Sequence, residues 1–531
     1  MKKIKSIVFW AGICLLILVT ILSKPLSNLD EMWNFNVARC ISNGLIPYKD
    51  ISMVTTPFLG FTTAIFLKIF GTEMFVTRIL AAILAVVNVI LIYRIFVNLK
   101  VNKVISKTSV AVIVMSLLDY FCLDYNFLVL TFALALILIE IKLQKKNCIH
   151  LHVIAGIMAG IAICTKQSIG FLLSIFVVLN TLFYVRNKSD WNITLKNIMY
   201  RVIGIMVPLL IFVIYMLCTK SFEFFIDYAV FGIKTFSNKI EYSNLVKSDV
   251  LAVSFLAIIV PVFIFTAIVE NVYFKFIKKE KRNLYILTVY SIPMFAMVYP
   301  IADNIHFLIA SVVPIILGIY SLYKVICRAP KVKFEDSVFK YALEILNIVI
   351  TLFIVVYLAY FEITNMDRLS NLSKYTKLDN FKYIYVDAKM KSVIDETDKY
   401  ITSQEKNVYI LDATSAIYMI PINKYNKDYD MFNKGNLGVG SEQKQIDRIK
   451  EEDAKYLILK EDYSLNWQTP IDVITYVRDN LKYTESIGCF DVYENYKEDN
   501  KEEPKQESTE KAQENSNSTE NKEHKEESAE Q

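Results

Sequence analysis

Long apolar runs separated by short polar connections make up most of the first 360 residues. A helix that crosses a membrane needs about 20 mostly apolar residues. The pattern predicts about eleven such spans, at 4–22, 73–97, 105–122, 124–142, 149–165, 168–185, 197–218, 249–274, 284–300, 304–326 and 338–360. The apolar stretch 57–71 is short, so it is predicted to be an interfacial helix. The fold class is therefore a multi-pass α-helical membrane protein.

Basic residues are concentrated on alternate connections between these runs, in segments 2–5, 94–107, 142–146, 186–196, 275–282 and 324–333. Membrane proteins keep Lys and Arg in their cytoplasmic connections. The bias therefore places these segments in the cytoplasm. The opposite face receives the first loop (23–72), the turns at Asp124, Lys166 and Asp303, the loop 219–248, and all residues after 360.

Beyond the last run the pattern becomes that of a soluble domain. Short strands are predicted at 407–411, 455–459 and 490–493, with helices at 441–452 and 470–481. This alternation is typical of a small α/β layer, placed here outside the cytoplasm. The segment 496–531 is polar and has no aromatic residue after Tyr496, so it is predicted to be disordered. The predicted domains are 1–360, 361–495 and 496–531.

Composition agrees with a membrane protein, since 54% of the 531 residues are hydrophobic and the mean hydropathy is +0.38. The net charge of +5 is modest and gives no reason to expect nucleic-acid binding. The eight cysteines are scattered without a C-x-x-C pair, so neither a disulfide framework nor a metal site is predicted. No cofactor is predicted. The N-terminal run lacks a small-x-small cleavage pattern, which favours an uncleaved first span over a signal peptide.

The acidic pair Asp30 and Glu31 follows the first span closely. Carboxylates beside a membrane are costly to hold and are often functional. Trp33, Val37 and Ile41 then recur at helical spacing, which predicts a helix lying in the membrane interface. An acidic helix N-terminus also suits the helix dipole, so a purely structural role for the pair stays open.

Other polar groups share the outer face with this pair. They are Arg39, Arg78, Asp119, Asp124, Tyr125, Asn126, Lys166, Gln167, Asp303 and His306. A carboxylate can act as a general base, and cations can hold a departing phosphate. The set therefore suggests transfer from a phosphate-linked donor, with Asp30 or Glu31 as base and Arg78, Lys166 or His306 at the phosphate. Alternatively, the arginines could be snorkelling anchors and His306 structural. Glu140, near an inner helix end, is expected to reach water.

Several of these segments resemble the membrane glycosyltransferases of the GT-C fold, most of all bacterial relatives of the protein-mannosyltransferase and aminoarabinose-transferase group. The matching segments are Asp30-Glu31-Met32-Trp33, Arg39, Gly44-Leu45-Ile46-Pro47-Tyr48, Thr56-Pro57-Phe58, Phe70-Gly71, Arg78, Thr165-Lys166-Gln167-Ser168 and Asp303-Asn304-Ile305-His306-Phe307. Thr56-Pro57 stands where Pro-Pro is common in the group. An Arg that often precedes the Asp-x-x-His segment is not evident.

The resemblance implies a catalytic base in the first outer loop and favours Asp30 over Glu31. The predicted substrate-binding residues are Arg78, Asp124, Lys166, Gln167, Asp303 and His306; all of them except Asp124 lie in the segments that carry the resemblance. The implied donor is a polyprenyl-phosphate-linked sugar, with inverting transfer to a glycan, lipid or protein acceptor outside the cytoplasm. The resemblance covers residues 1–330 and does not identify the sugar.

Two other function classes compete with this interpretation. A transporter or flippase of lipid-linked sugars would be expected to carry ionisable groups at mid-membrane and internal repeats, which the sequence lacks. A sensory or structural membrane protein could use residues 375–495 to bind a partner. Turnover of a lipid-linked donor would separate the enzyme from both.

Overall fold

The structure is a computed structural model. It describes residues 2–26, 29–184, 191–232, 240–272, 284–328, 376–460 and 469–495. The predicted span 338–360, the predicted disorder of 496–531, the segment 361–375 and the basic connection 275–282 lie outside the described residues. No outcome is assigned to them.

The membrane part is built from helices that follow the apolar runs. They are α1 (Lys2–Leu22), α2 (Leu29–Ser42), α3 (Phe58–Phe70), α4 (Met74–Asn98), α5 (Lys103–Leu117), α6 (Tyr125–Lys145), α7 (Ile149–Thr165), α8 (Gln167–Asn180), α9 (Trp191–Cys218), α10 (Phe222–Phe225), α11 (Ser243–Val246), α12 (Leu251–Val272), α13 (Leu284–Phe295) and α14 (Asn304–Arg328). Short 3₁₀ turns follow α5, α8 and α13, and a π-helical turn lies at Ile226–Phe231.

Six helices in the described part of the chain are long and apolar enough to cross a membrane: Ile4–Leu22, Met74–Asn98, Tyr125–Lys145, Trp191–Cys218, Val253–Val272 and Asn304–Lys324. The remaining predicted spans in the described ranges are occupied by shorter helices, α5, α7, α8 and α13. Large apolar side chains on α9 and α12, such as Leu210 and Phe265, face away from the protein, as expected for contact with lipid.

Helices α7 and α9 pack with their backbones close together because glycines line their contact. A Cβ at Gly156 would lie 2.1 Å from the Arg201 carbonyl oxygen and 2.9 Å from the Gly204 Cα. Such small-residue contacts are typical of membrane helix pairs. The approach brings the Arg201 side chain into the bundle, where its two terminal nitrogens lie 2.6 and 3.0 Å from the Glu140 carboxylate oxygens. The expectation that Glu140 reaches water is therefore wrong, because the residue is fully buried.

The C-terminal layer contains α15 (Ala388–Ser403), β1 (Asn407–Ile410), α16 (Ser415–Met419), α17 (Ser441–Glu451), β2 (Ala454–Leu459), α18 (Ile471–Asn480), β3 (Lys482–Ile487) and β4 (Phe490–Glu494). The sheet order is β1-β2-β4-β3; β1 and β2 are parallel, and the other neighbours are antiparallel. The predicted α/β layer is confirmed. Strand β3 was not predicted, because it is a mostly exposed edge strand with no alternating apolar pattern.

Helix α2 joins the two parts, which belong to one structural unit spanning Met1–Asn495. Its residues Met32, Phe35 and Ala38 are buried in a core that also contains Phe381 and Ile417 of the C-terminal layer. The predicted helix is confirmed. Of the residues predicted to face the membrane interface, Val37 is buried in a cluster with Tyr48 and Ile51, whereas Trp33 and Ile41 are partly exposed. The placement of α2 in the membrane interface stays a prediction.

Candidate active site

Asp30 lies in the first turn of α2, beside a small cleft. The cleft is lined by α2, α3, the loop before α3, the start of α6 and the C-terminal layer, and its residues include Trp33, Asn34, Tyr125 and Met431. Asp30 is partly exposed. Its carboxylate can therefore reach a ligand that enters the cleft.

The charges of four side chains from distant parts of the sequence act on Asp30. Burial raises the pKa of Asp30 to about 6, and the carboxylates of Asp124 and Asp303 contribute in the same direction. The positive charges of His306 and Lys166 oppose this rise. A carboxylate with this pKa is largely ionised at neutral pH yet basic enough to accept a proton, which is the property required of a general base.

Lys166 lies at the junction between α7 and α8. Its Nζ donates a hydrogen bond of 2.6 Å to Asn126 Oδ1 and lies 5.0 Å from the centre of the Tyr125 ring. Burial lowers the pKa of Lys166, and the carboxylates of Asp124, Asp30 and Asp303 act in the opposite direction. The structure therefore places one ammonium group among three carboxylates.

Asp124 caps the N-terminus of α6, since its Oδ2 accepts a hydrogen bond of 3.1 Å from the backbone N–H of Asn126. Burial raises its pKa, while Lys166 and the hydrogen bonds from Asn126 lower it in part. Asp124 Oδ1 and Asn126 Nδ2 are buried without a hydrogen-bond partner among the described residues. Buried polar atoms of this kind are unusual and call for a ligand or water.

Asp303 and His306 form a close pair at the start of α14. His306 Nδ1 lies 2.8 and 2.9 Å from the two Asp303 carboxylate oxygens, and the His306 backbone N–H donates to Asp303 Oδ1 at 2.7 Å. Burial alone would raise the pKa of Asp303, but the hydrogen bonds and charge of His306 outweigh it and hold that pKa below its usual value. Since Nδ1 is directed at Asp303, Nε2 is the ring nitrogen left for a ligand.

Glu31 and Arg78, both predicted site residues, bind each other. Arg78 Nε lies 2.9 Å from Glu31 Oε1, and its NH2 group lies 3.1 Å from Oε2. Arg78 also donates to the backbone carbonyls of Lys24 and Pro25. The two side chains are 0% and 2% exposed. The two side chains are each other's partners in this structure, and the roles of Glu31 as base and Arg78 as phosphate ligand stay predictions.

Gln167, also predicted to bind substrate, holds the surrounding loops. Its Nε2 donates to the carbonyl oxygen of Val54 at 2.6 Å and lies 3.4 Å from that of Ala229. The sequence predicts no role for Asn126, although its side-chain oxygen accepts the hydrogen bond from Lys166. The signal in the sequence is the position of Asn126 two residues after Asp124, which caps α6.

Within the ranges that the structure describes, no group of three or more His, Cys, Asp or Glu side chains is arranged to hold a metal ion. The carboxylates of Asp30, Asp124 and Asp303 interact with the charges of Lys166 and His306. The arrangement can therefore combine proton acceptance at Asp30 with binding of an anion.

A family model for dolichyl-phosphate-mannose-protein mannosyltransferases matches residues 54–217. This range contains Asp124 and Lys166 and begins after Asp30. No curated protein sequence matches the chain at a significant level.

Two solved structures align with nearly the whole chain. They are ArnT from Cupriavidus metallidurans bound to undecaprenyl phosphate (TM-score 0.56, 11% identity, 93% of this chain and 98% of that chain) and the same protein in the apo state (TM-score 0.55, 12% identity, 93% and 99%). The chain has the GT-C fold. The expected resemblance to GT-C membrane glycosyltransferases is confirmed, and the protein is a multi-pass membrane protein.

Proposed function

We propose that the protein transfers a sugar from a polyprenyl-phosphate-linked donor to an acceptor outside the cytoplasm, with inversion at the sugar. The observation that carries the proposal is the surroundings of Asp30. Asp30 and Tyr125 line one cleft, Lys166 Nζ lies 5.0 Å from the centre of the Tyr125 ring, and the charges of Lys166 and His306 act on Asp30. The GT-C fold and the undecaprenyl phosphate bound to ArnT support a lipid-linked donor.

In the proposed reaction, Asp30 accepts the proton of an acceptor hydroxyl or amine. The acceptor atom then forms a bond to the anomeric carbon, and the bond from that carbon to the phosphate oxygen breaks. Polyprenyl phosphate leaves with the bonding electrons. Lys166 and the Nε2 of His306 stabilise the charge that develops on the phosphate. Asp303 keeps the His306 ring oriented through its contacts with Nδ1.

The C-terminal layer is proposed to lie outside the cytoplasm, on the same side as Asp30. Met431 of this layer lines the cleft that contains Asp30, and the basic connections predicted to be cytoplasmic lie at the opposite ends of the helices. An acceptor would therefore approach between α2 and the C-terminal layer.

The test is an assay of the purified full-length protein in liposomes with a panel of polyprenyl-phosphate sugars, with release of polyprenyl phosphate as the readout. The proposal predicts release from at least one donor. Movement of lipid-linked sugar across the bilayer without release would support a flippase instead. Neither release nor movement across the panel would contradict both functions.

Replacement of Lys166 by Met is expected to weaken donor binding. A hydrogen bond that involves a charged group contributes about 1.5–3 kcal/mol, so the KM for the donor should rise roughly 10- to 100-fold. Because Lys166 also lowers the pKa of Asp30, the comparison should be made above pH 8, where Asp30 is ionised in both proteins. Lys68→Met, at an exposed lysine of α3, is the control. An unchanged KM for Lys166→Met would remove Lys166 from the phosphate site.

The pH dependence of kcat/KM should reflect Asp30. Its pKa is raised to about 6, so the basic form is lost as the pH falls through this value. We expect kcat/KM to level off above pH 6 and to fall about tenfold per pH unit below it. A fall centred near pH 4, the ordinary range of aspartate, would contradict the raised pKa.

A further inference from the structure

Helix α2 carries Asp30 at its N-terminal end, and its following turns are attached to the C-terminal layer by side-chain hydrogen bonds. Trp33 Nε1 donates to the Ala413 carbonyl oxygen at 2.8 Å. One turn later, Asn36 Nδ2 donates to Asp430 Oδ1 at 3.3 Å. These contacts join residues that are separated by about 390 positions in the sequence.

Arg39 makes the largest set of these contacts. It is 0% exposed, its NH1 donates to Asn423 Oδ1 at 3.1 Å, and its NH2 donates to the Lys424 carbonyl oxygen at 2.8 Å. Its guanidinium lies 4.5 Å from the centre of the Tyr425 ring. A guanidinium fork matched by several acceptors is a geometry that lysine cannot reproduce.

Asn36 and Asp430 complete this buried group. Asn36 Oδ1 accepts hydrogen bonds from Arg39 at 3.0 and 3.3 Å while its Nδ2 faces Asp430. Asp430 is 3% exposed. Burial raises its pKa to about 7, while the hydrogen bond from Asn36 and the charge of Arg39 act in the opposite direction. Asn36 therefore links the guanidinium to Asp430 through hydrogen bonds on both sides of its amide.

The segment that holds Arg39 also reaches the candidate active site. It runs from Asn423 to Asp430, and the next residue, Met431, lines the cleft beside Asp30. The same stretch of the C-terminal layer therefore binds α2 at Arg39 and forms part of the wall near its other end.

We propose that the C-terminal layer positions Asp30 for catalysis by holding α2 through Arg39. Arg39 is a positioning residue, because it acts through the helix and lies about 14 Å along the axis from Asp30. A small rotation of α2 about this attachment would displace the carboxylate, and a displacement of about 1 Å can reduce a rate 100-fold. The catalytic consequence rests on the proposed function.

The test compares the full-length wild type, Arg39→Gln and Arg39→Lys. The first readout, independent of activity, is hydrogen–deuterium exchange of the α2 backbone amides. Arg39→Gln should exchange at least about tenfold faster across residues 30–42 with unchanged exchange in β1, β2 and β4. The second readout is kcat, expected to fall about 100-fold with an unchanged donor KM. Arg39→Lys should return neither the α2 exchange rate nor kcat to the wild-type value.

Lys444→Ala is the matched control. Lys444 Nζ lies 3.1 Å from Asp227 Oδ2, so this ion pair also attaches the C-terminal layer to the membrane part, but without touching α2. The control should leave both α2 exchange and kcat unchanged. If Arg39→Gln does not fold, Asn423→Gly removes one acceptor of Arg39 at a residue whose positive φ of 53° glycine tolerates.

Unchanged α2 exchange in the folded variants would overturn the positioning role, as would a loss of kcat shared equally by Lys444→Ala. Failure of the proposed function is distinguishable, because wild type would then turn over no donor while the exchange experiment would still report on the attachment of α2.

Discussion

Replacement of Asp30 by Asn should reduce kcat by about 100- to 10,000-fold, the usual contribution of a general base. The substitution keeps the size of the side chain and removes only its capacity to accept a proton. Donor binding should change little, because Lys166 and His306 stay in place. Steady-state kinetics at saturating donor and acceptor concentrations measure both quantities.

Asp50→Asn is the matched control, since it changes a second carboxylate of the first loop. Asp50 Oδ2 accepts a hydrogen bond of 2.9 Å from the Ile46 backbone N–H, a contact that the Asn side-chain oxygen can still make. We expect this variant to keep the wild-type kcat. Equal kcat values for the Asp30 and Asp50 variants would exclude Asp30 as the base.

Replacement of Arg78 by Met should lower the free energy of unfolding by about 3–5 kcal/mol, because it removes a bidentate counter-charge from the buried Glu31 carboxylate. The pair is bidentate and almost fully buried. Denaturant titration of the purified protein in a fixed lipid mixture measures the change. Lys382→Met, which breaks a partly exposed ion pair with Glu73, should have little effect.

The double variant Glu31→Gln/Arg78→Met should recover part of this loss, since the buried side chain at position 31 is then neutral. Glu31→Gln alone should keep kcat near the wild-type value, in contrast to Asp30→Asn. A stable Arg78→Met protein, or a Glu31→Gln protein with the low kcat of Asp30→Asn, would contradict the structural role of the pair.

Features that depend on local pattern could be predicted from the sequence. The apolar runs predicted the helices of the membrane part, and alternating charge placed Asp30, Asp124, Lys166, Asp303 and His306 at one face. Because these residues end or begin neighbouring helices, their common depth follows from helix length alone. In the structure, the charges of Asp124, Lys166, Asp303 and His306 act on Asp30.

Features that depend on the rotation and docking of helices could not be predicted. Glu31 and Asp30 are adjacent, yet only the direction in which α2 turns sends Glu31 to Arg78 and Asp30 to the cleft. In the same way, α2 has an apolar face that suits lipid and protein equally. Its partner, the C-terminal layer, begins more than 300 residues later, and no local pattern records that contact.

A single-turnover experiment tests the central claim most directly. Wild type and Asp30→Asn, each in excess over a polyprenyl-phosphate sugar that wild type uses, are mixed with acceptor, and bound donor and released polyprenyl phosphate are measured. The account predicts that both proteins bind the donor and that only wild type releases polyprenyl phosphate rapidly. Equal rates of release from the two proteins would contradict it.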